Sequence, residues 1–150
     1  MYGWLGRIRG VVGLCRQMRN LETIASPEVN LGYSPDVAEG LDLDAHLRLW
    51  RRVVAEQTDR FGFSLGRPVD VVLLPTMVQL RRVKGRNLGA GGMTRSGPIW
   101  AAPSLLRSED AALQFVRHET THVFAARWGS LAPLLKAEGL AMWVGGPRVG

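Results

Sequence analysis

The chain holds a single cysteine, Cys15, in 150 residues. That excludes an intrachain disulfide, leaves the redox compartment unspecified and gives no cysteine cluster for a metal. No stretch approaches the ~18 uninterrupted apolar residues of a membrane-spanning helix. Internal repeats and low-complexity linkers are lacking too, so residues 21–150 read as one domain, long enough to bury one hydrophobic core. The net charge is +6 and nearly all the basic residues are arginine. They are spread along the chain, and the densest group, Arg81-Arg82-Val83-Lys84-Gly85-Arg86, has no interleaved aromatics on which bases could stack. It reads as a solvated helix end, and no nucleic-acid partner is expected. The glycine-rich Gly89-Ala90-Gly91-Gly92 lacks a Gly-Lys-Ser/Thr ending and does not open a helix, which excludes a phosphate-binding loop.

Residues 1–20 form a separate basic segment. Trp4, Leu5, Ile8, Val11, Val12, Cys15 and Met18 recur at helical spacing, with Arg7, Arg9, Arg16 and Arg19 between them. Those arginines interrupt the apolar run that a secretory signal requires. A basic amphipathic helix can lie on a membrane surface or pack on the domain, and packing is favoured. The expected location is cytoplasmic or membrane-peripheral.

What the remainder contains is a mixture of short strands and long helices, an α+β pattern with a small mixed sheet. A strand is expected within Glu22–Tyr33, best at Val29–Tyr33, before a turn at Ser34-Pro35-Asp36. Leu41–Phe61 reads as a long helix, with Asp42 or Asp44 as cap, Gly62 as stop, and Leu47, Trp50, Val54 and Phe61 facing the core. His46, early in that helix, is assigned to the surface. Pro68–Leu74 is a β-rich apolar run that predicts a buried strand. A short helix is expected from Pro75 to about Val83, and a hairpin over Gly92–Ala102 turning at Ser96-Gly97. Ser108, Glu109 and Asp110 then start a helix running to Trp128, with Leu113, Val116 and Phe124 on the sheet. Ser130–Pro133 connects it to a final helix ending at Gly145-Gly146-Pro147.

The chemistry-bearing stretch is His118-Glu119-Thr120-Thr121-His122. Histidines four apart on a helix share one face, so both imidazoles can reach one Zn²⁺ at roughly 2.0–2.1 Å. Glu119 projects to the side, where it can contact a water on the metal and act as general base. A third protein ligand is needed. Glu138 is the candidate, a lone acid within an apolar stretch from Leu134 to Val144, where burial without a partner would be costly.

On these residues, and on Glu138-Gly139-Leu140-Ala141-x-Trp143, the chain resembles the gluzincin zinc metallopeptidases, specifically their compact bacterial peptidase-MA-like domains. The resemblance runs from about Val29 to Gly146. It implies one zinc held by His118, His122 and Glu138, Glu119 as base, and a peptide or protein substrate. Ile99-Trp100-Ala101-Ala102 resembles the gluzincin edge strand that pairs with extended peptide, so Ile99, Trp100 and Ala101 are the expected substrate contacts; Trp100 can equally be core. Two features depart from the family. Residues 139–150 contain no Tyr or His to meet an oxyanion, Arg148 being their only charged group, and Met142 stands where some gluzincins place a supporting acid. The alternative to a peptidase is a catalytically weak, zinc-stabilised binding module of the same fold.

Overall fold

A computed structural model of the chain describes residues 20–76, 92–93, 98–106, 108–127 and 134–146. The expected N-terminal amphipathic helix, the helix from Pro75 to Val83, the turn at Ser96-Gly97, the Ser130–Pro133 connection and Arg148 lie outside or mostly outside these residues.

Among the described residues five strands form one mixed sheet: β1 (Glu22–Ala25), β2 (Val29–Tyr33), β3 (Val69–Leu73), β4 (Gly92–Met93) and β5 (Ile99–Ala101), in the order β1-β2-β3-β5-β4. The β1–β2 and β4–β5 pairs are antiparallel, and the two inner pairs are parallel. The helices are a single turn α1 (Pro35–Ala38), the long α2 (Leu43–Phe61) and α3 (Glu109–Arg127), and α4 (Leu134–Gly145). This is the α+β architecture expected from the sequence.

Local chemistry sets most boundaries. The Asp42 carboxylate accepts from the Ala45 N–H at 2.8 Å, capping α2, and Gly62 ends that helix at φ 74°. That left-handed conformation suits glycine because an L side chain there is strained against its own backbone, although the surrounding space is open. Ser108 caps α3 in the same way, its hydroxyl accepting from the Ala111 N–H. Two expectations change. The stretch before Val29 contains a second strand, β1, whose mostly exposed side chains show no apolar alternation to announce it. Ser34-Pro35-Asp36 opens a helical turn, since proline at its start needs no hydrogen-bonded N–H.

The core lies on one face of the sheet. Val29, Leu31, Val69, Val71, Leu73, Ile99 and Ala101 point toward Trp50, Val53 and Val54 of α2 and Val116 and Phe124 of α3, all buried. Leu47, Phe61 and Leu113 join this core as partly buried side chains. Phe124 also meets Phe61 and Phe63, with ring centroids 5.5 and 5.6 Å apart. The alternate residues of β3 and β5 face the other way, where Val72, Leu74, Trp100 and Ala102 form a second cluster.

That arrangement corrects the expected substrate strand. Ile99 and Trp100 of β5 are flanked on both sides, by Val71 and Val72 of β3 and by Met93 and Gly92 of β4. The Ala101 carbonyl accepts from the Leu74 N–H. All three residues are buried. Their backbone groups therefore serve the sheet, and Trp100 is core. Among the described residues, the edge on this side belongs to β4.

Phe124→Ala is expected to lower the unfolding free energy by about 3–5 kcal/mol, as for deletion of a fully buried aromatic ring. Urea denaturation measures it, and a loss under ~1 kcal/mol would contradict the packing of α3 described above.

Candidate metal centre

The candidate site is built where α4 crosses α3. Along α3, residues 118–121 are all buried, so this part of the helix is enclosed on every side. The sheet covers Val116 and Phe124. On the α2 side, Gln57 is 1% exposed; its Nε2 donates to Thr121 Oγ1 at 3.1 Å and to the Arg117 carbonyl at 3.4 Å. Nearby, Arg117 reaches Glu56 Oε2 through Nε and Nη2 at 3.0 and 2.9 Å. The hydroxyls of Thr120 and Thr121 donate back to the Val116 and Arg117 carbonyls at 2.7 Å each. The buried threonines are thus satisfied within their own helix.

The third side of α3 carries His118 and His122 and meets α4. Their Nε2 atoms stand 3.1 Å apart. Glu138 reaches both, with Oε2 3.5 Å from His118 Nε2 and Oε1 3.4 Å from His122 Nε2. These are the residues among those described that group as potential metal ligands. The carboxylate distances are long beside the ~2.7–2.9 Å of a charge-assisted hydrogen bond. They match three donors around a common cation: bonds of ~2.0–2.1 Å at tetrahedral angles place donors about 3.3 Å apart. Two imidazoles and one carboxylate are also a donor set that borderline divalent ions prefer. The two histidines are mostly covered, while the Glu138 side chain is 41% exposed, so the cluster meets solvent on the α4 side.

Glu119 follows His118 on α3 and is 4% exposed. Ile99, Trp100 and Ala101 do not join the cluster, being held inside the sheet as described. His46 is half-buried at the start of α2 and is not part of the cluster. It borders a cavity of about 610 Å³ with Arg48, Arg52, Leu106, Ser108 and Glu109, at the N-terminal end of α3.

Two structural residues escaped the sequence reading. Gln57 continues the buried stripe of Trp50, Val53 and Val54, so a polar residue at a core position of α2 was the available signal. Gly145, read as part of the helix end, is the last residue of α4, and Gly146 follows it at φ 83°; the contact of Gly145 with α3 is what the sequence did not show. A Cβ on Gly145 would lie 3.2 Å from the Gln114 carbonyl oxygen, 3.3 Å from the His118 nitrogen and 3.4 Å from the His118 Cβ. The α4 backbone therefore rests directly on the turn of α3 that bears the first histidine.

Comparison with protein-family models, with curated proteins and with solved structures finds no match for this chain.

Gly145→Ala separates two effects of opposite sign. Helix propensity alone would stabilise by about 0.5–1 kcal/mol, whereas overpacking against rigid backbone costs about 1–3 kcal/mol. Net destabilisation with weakened divalent-cation binding is expected, because the extra methyl pushes Glu138 away from the histidines. Calorimetric melting with metal titration reads both, and a more stable variant with unchanged affinity would contradict the close crossing.

Burial pushes the His46 imidazole below its usual range, against the opposing pull of the Asp42 carboxylate. The unfolded chain then binds the proton more readily. The stabilisation from the neutral ring is complete above the unfolded value of ~6.5 and is lost as pH falls through the lower folded value. His46→Leu is expected to flatten the loss of stability on acidification below ~6.5, compared by urea midpoints at neutral and acid pH. An identical acid profile would show that His46 titrates normally.

Proposed function

We propose that the chain is a zinc-dependent peptidase related to the gluzincins, with His118, His122 and Glu138 as zinc ligands and Glu119 as general base. One observation carries this reading: three donors from two helices converge at 3.1–3.5 Å, and a buried carboxylate follows the first of them in sequence.

Zinc bound there would lower the pKa of a water and polarise a substrate carbonyl. Glu119 takes the proton from the attacking water at its carboxylate. It then returns that proton to the amine that leaves as the C–N bond breaks, so the carboxylate ends as it began. His118 and His122 are held for their role by the backbone of one buried helix, while Glu138 arrives from a second. An extended peptide would pair with the edge strand β4, which lies against α3, rather than with β5.

The binding-module alternative shares the ligand set, since a metal bridging α3 and α4 would fasten the two helices without any turnover. No helix among the described residues is long and apolar enough to cross a membrane, and a peripheral attachment through residues 1–19 is compatible with that.

Protein purified without added metal should contain one zinc per chain by elemental analysis, and His118→Ala and His122→Ala should lose it. Their melting temperatures should fall, because bound metal adds about 4 kcal/mol when zinc exceeds its dissociation constant a thousandfold. Glu119→Gln should keep its zinc yet cleave peptides at least ~10²-fold more slowly. Full zinc retention in both histidine variants would sink the ligand assignment. Unchanged turnover in Glu119→Gln would remove the base, and absent turnover in the zinc-loaded parent would leave the binding module.

A further inference from the structure

We infer that the cavity between the N-terminal halves of α2 and α3 binds a small zwitterion with an aliphatic body, an apolar α-amino acid, its carboxylate on Arg48 and Arg52 and its ammonium on Glu109. The inference stands apart from the zinc-peptidase reading. The metal cluster forms where α3 meets α4, whereas this cavity opens where α3 meets α2.

The cavity measures about 610 Å³, within the ~300–1,000 Å³ of small-molecule sites. Side chains of both signs line it. Arg48 and Arg52 come from α2, one turn apart and therefore on one face. Glu109 comes from the first turn of α3. No ion pair joins Glu109 to either arginine. Among the described residues, neither the Arg48 guanidinium nor the Glu109 carboxylate has a hydrogen-bonding or ionic partner. Arg52 makes a long contact with Glu56, at 3.8 Å. Opposite charges held apart on the walls of one cavity are complementary to a ligand that carries both.

The rest of the lining narrows the ligand. Ala45 and Leu49 of α2 contribute apolar surface, as do the buried Leu106 and Ala112, and an aliphatic side chain laid against them leaves water. Burial favours the neutral His46 ring, so it adds no third cation near neutral pH. The Ser108 hydroxyl is already engaged as the acceptor for the Ala111 N–H. Guanidinium groups suit a planar carboxylate, which they hold through parallel N–H···O bonds. Phosphate or sulfate would meet the same arginines, but would bring negative charge toward Glu109 and leave that carboxylate unpaired. A simple amine would satisfy Glu109 and leave the arginines unmet.

Calorimetry on the full-length protein tests this with four probes. They are L-leucine, isocaproate (leucine without its ammonium), isoamylamine (leucine without its carboxylate) and inorganic phosphate. Leucine should bind at least ~10-fold tighter than each of the other three, the scale of one charged hydrogen bond. Arg48→Ala should weaken leucine binding at least ~10-fold with little change in melting temperature, since that side chain is exposed. Glu109→Gln should erase the advantage of leucine over isocaproate. Added zinc should leave the leucine affinity unchanged. Isocaproate or phosphate binding as tightly as leucine would make this a plain anion site and overturn the inference. So would leucine without saturable binding at ~10 mM, or unchanged leucine affinity in both variants. Leucine binding that requires zinc would place the ligand on the metal cluster, and overturns the inference as well.

Discussion

The close crossing of α4 over α3 is the constraint on which the candidate site depends. Two histidines four residues apart are positioned by one helix backbone, but a third donor within about 3.5 Å of each must come from another element brought unusually near. Helix axes ordinarily lie 8–10 Å apart, according to the side chains between them. The inner face of α4 carries Ala141 and Gly145, both buried, four residues apart and therefore on one stripe. Small residues at these positions let the backbones approach, and a methyl group at Gly145 would meet α3 at 3.2–3.4 Å, a tight contact. The glycine is therefore a spacing element: it fixes how far Glu138, nearly two turns earlier in the same helix, stands from the imidazoles.

The neighbours of α3 explain why that helix can serve as a reference surface. Its buried positions are not uniformly apolar; Thr120, Thr121, His118 and Glu119 are all enclosed. The threonines bond to carbonyls one turn back and so impose no unmet demand. Gln57 crosses from α2 to Thr121 and the Arg117 carbonyl, which ties the register of the two long helices by direction as well as by volume. Its Oε1 has no partner among the described residues, and leaving a buried acceptor unmet costs about 1–3 kcal/mol. Meanwhile Val116 and Phe124 press α3 onto the parallel strands, so the histidine-bearing turn has little freedom to translate along the sheet.

Legibility in the sequence followed the range of the interaction involved. The limits of α2, set by Asp42 and Gly62, and the strands Val29–Tyr33 and Val69–Leu73 were readable because caps and apolar runs act over a few residues. The grouping of His118, His122 and Glu138 was readable because helical spacing fixes the first two, and the third is an acid isolated among apolar residues. Strand order was not. Ile99–Ala101 resembles an edge strand in one dimension, and only its pairing with β3 and β4 reveals that its backbone is already used. Strand β1 was hidden for the opposite reason, since an exposed edge need not alternate. Gln57 and Gly145 both work through a partner far away in the chain, and an isolated sequence offers no view of either partner.

The division of labour between the two helices also places the compliance of the site. His118 and His122 belong to an enclosed helix held by the sheet, α2 and α4. Glu138 belongs to α4, which packs on α3 and shows solvent Gly139, Met142 and Trp143 along its outer side. Among the described residues α4 is covered on its α3 flank, and under a force on the outer side the donor distance that changes first is the one to Glu138. A bulkier residue at Gly145 would therefore act first on that distance. Any metal held here would oppose it, because its bonds to Glu138 and to the histidines resist the same separation of the helices. Metal affinity and the fit of the crossing are in this way linked terms of one equilibrium, set by how closely a small-residue stripe lets two helices approach.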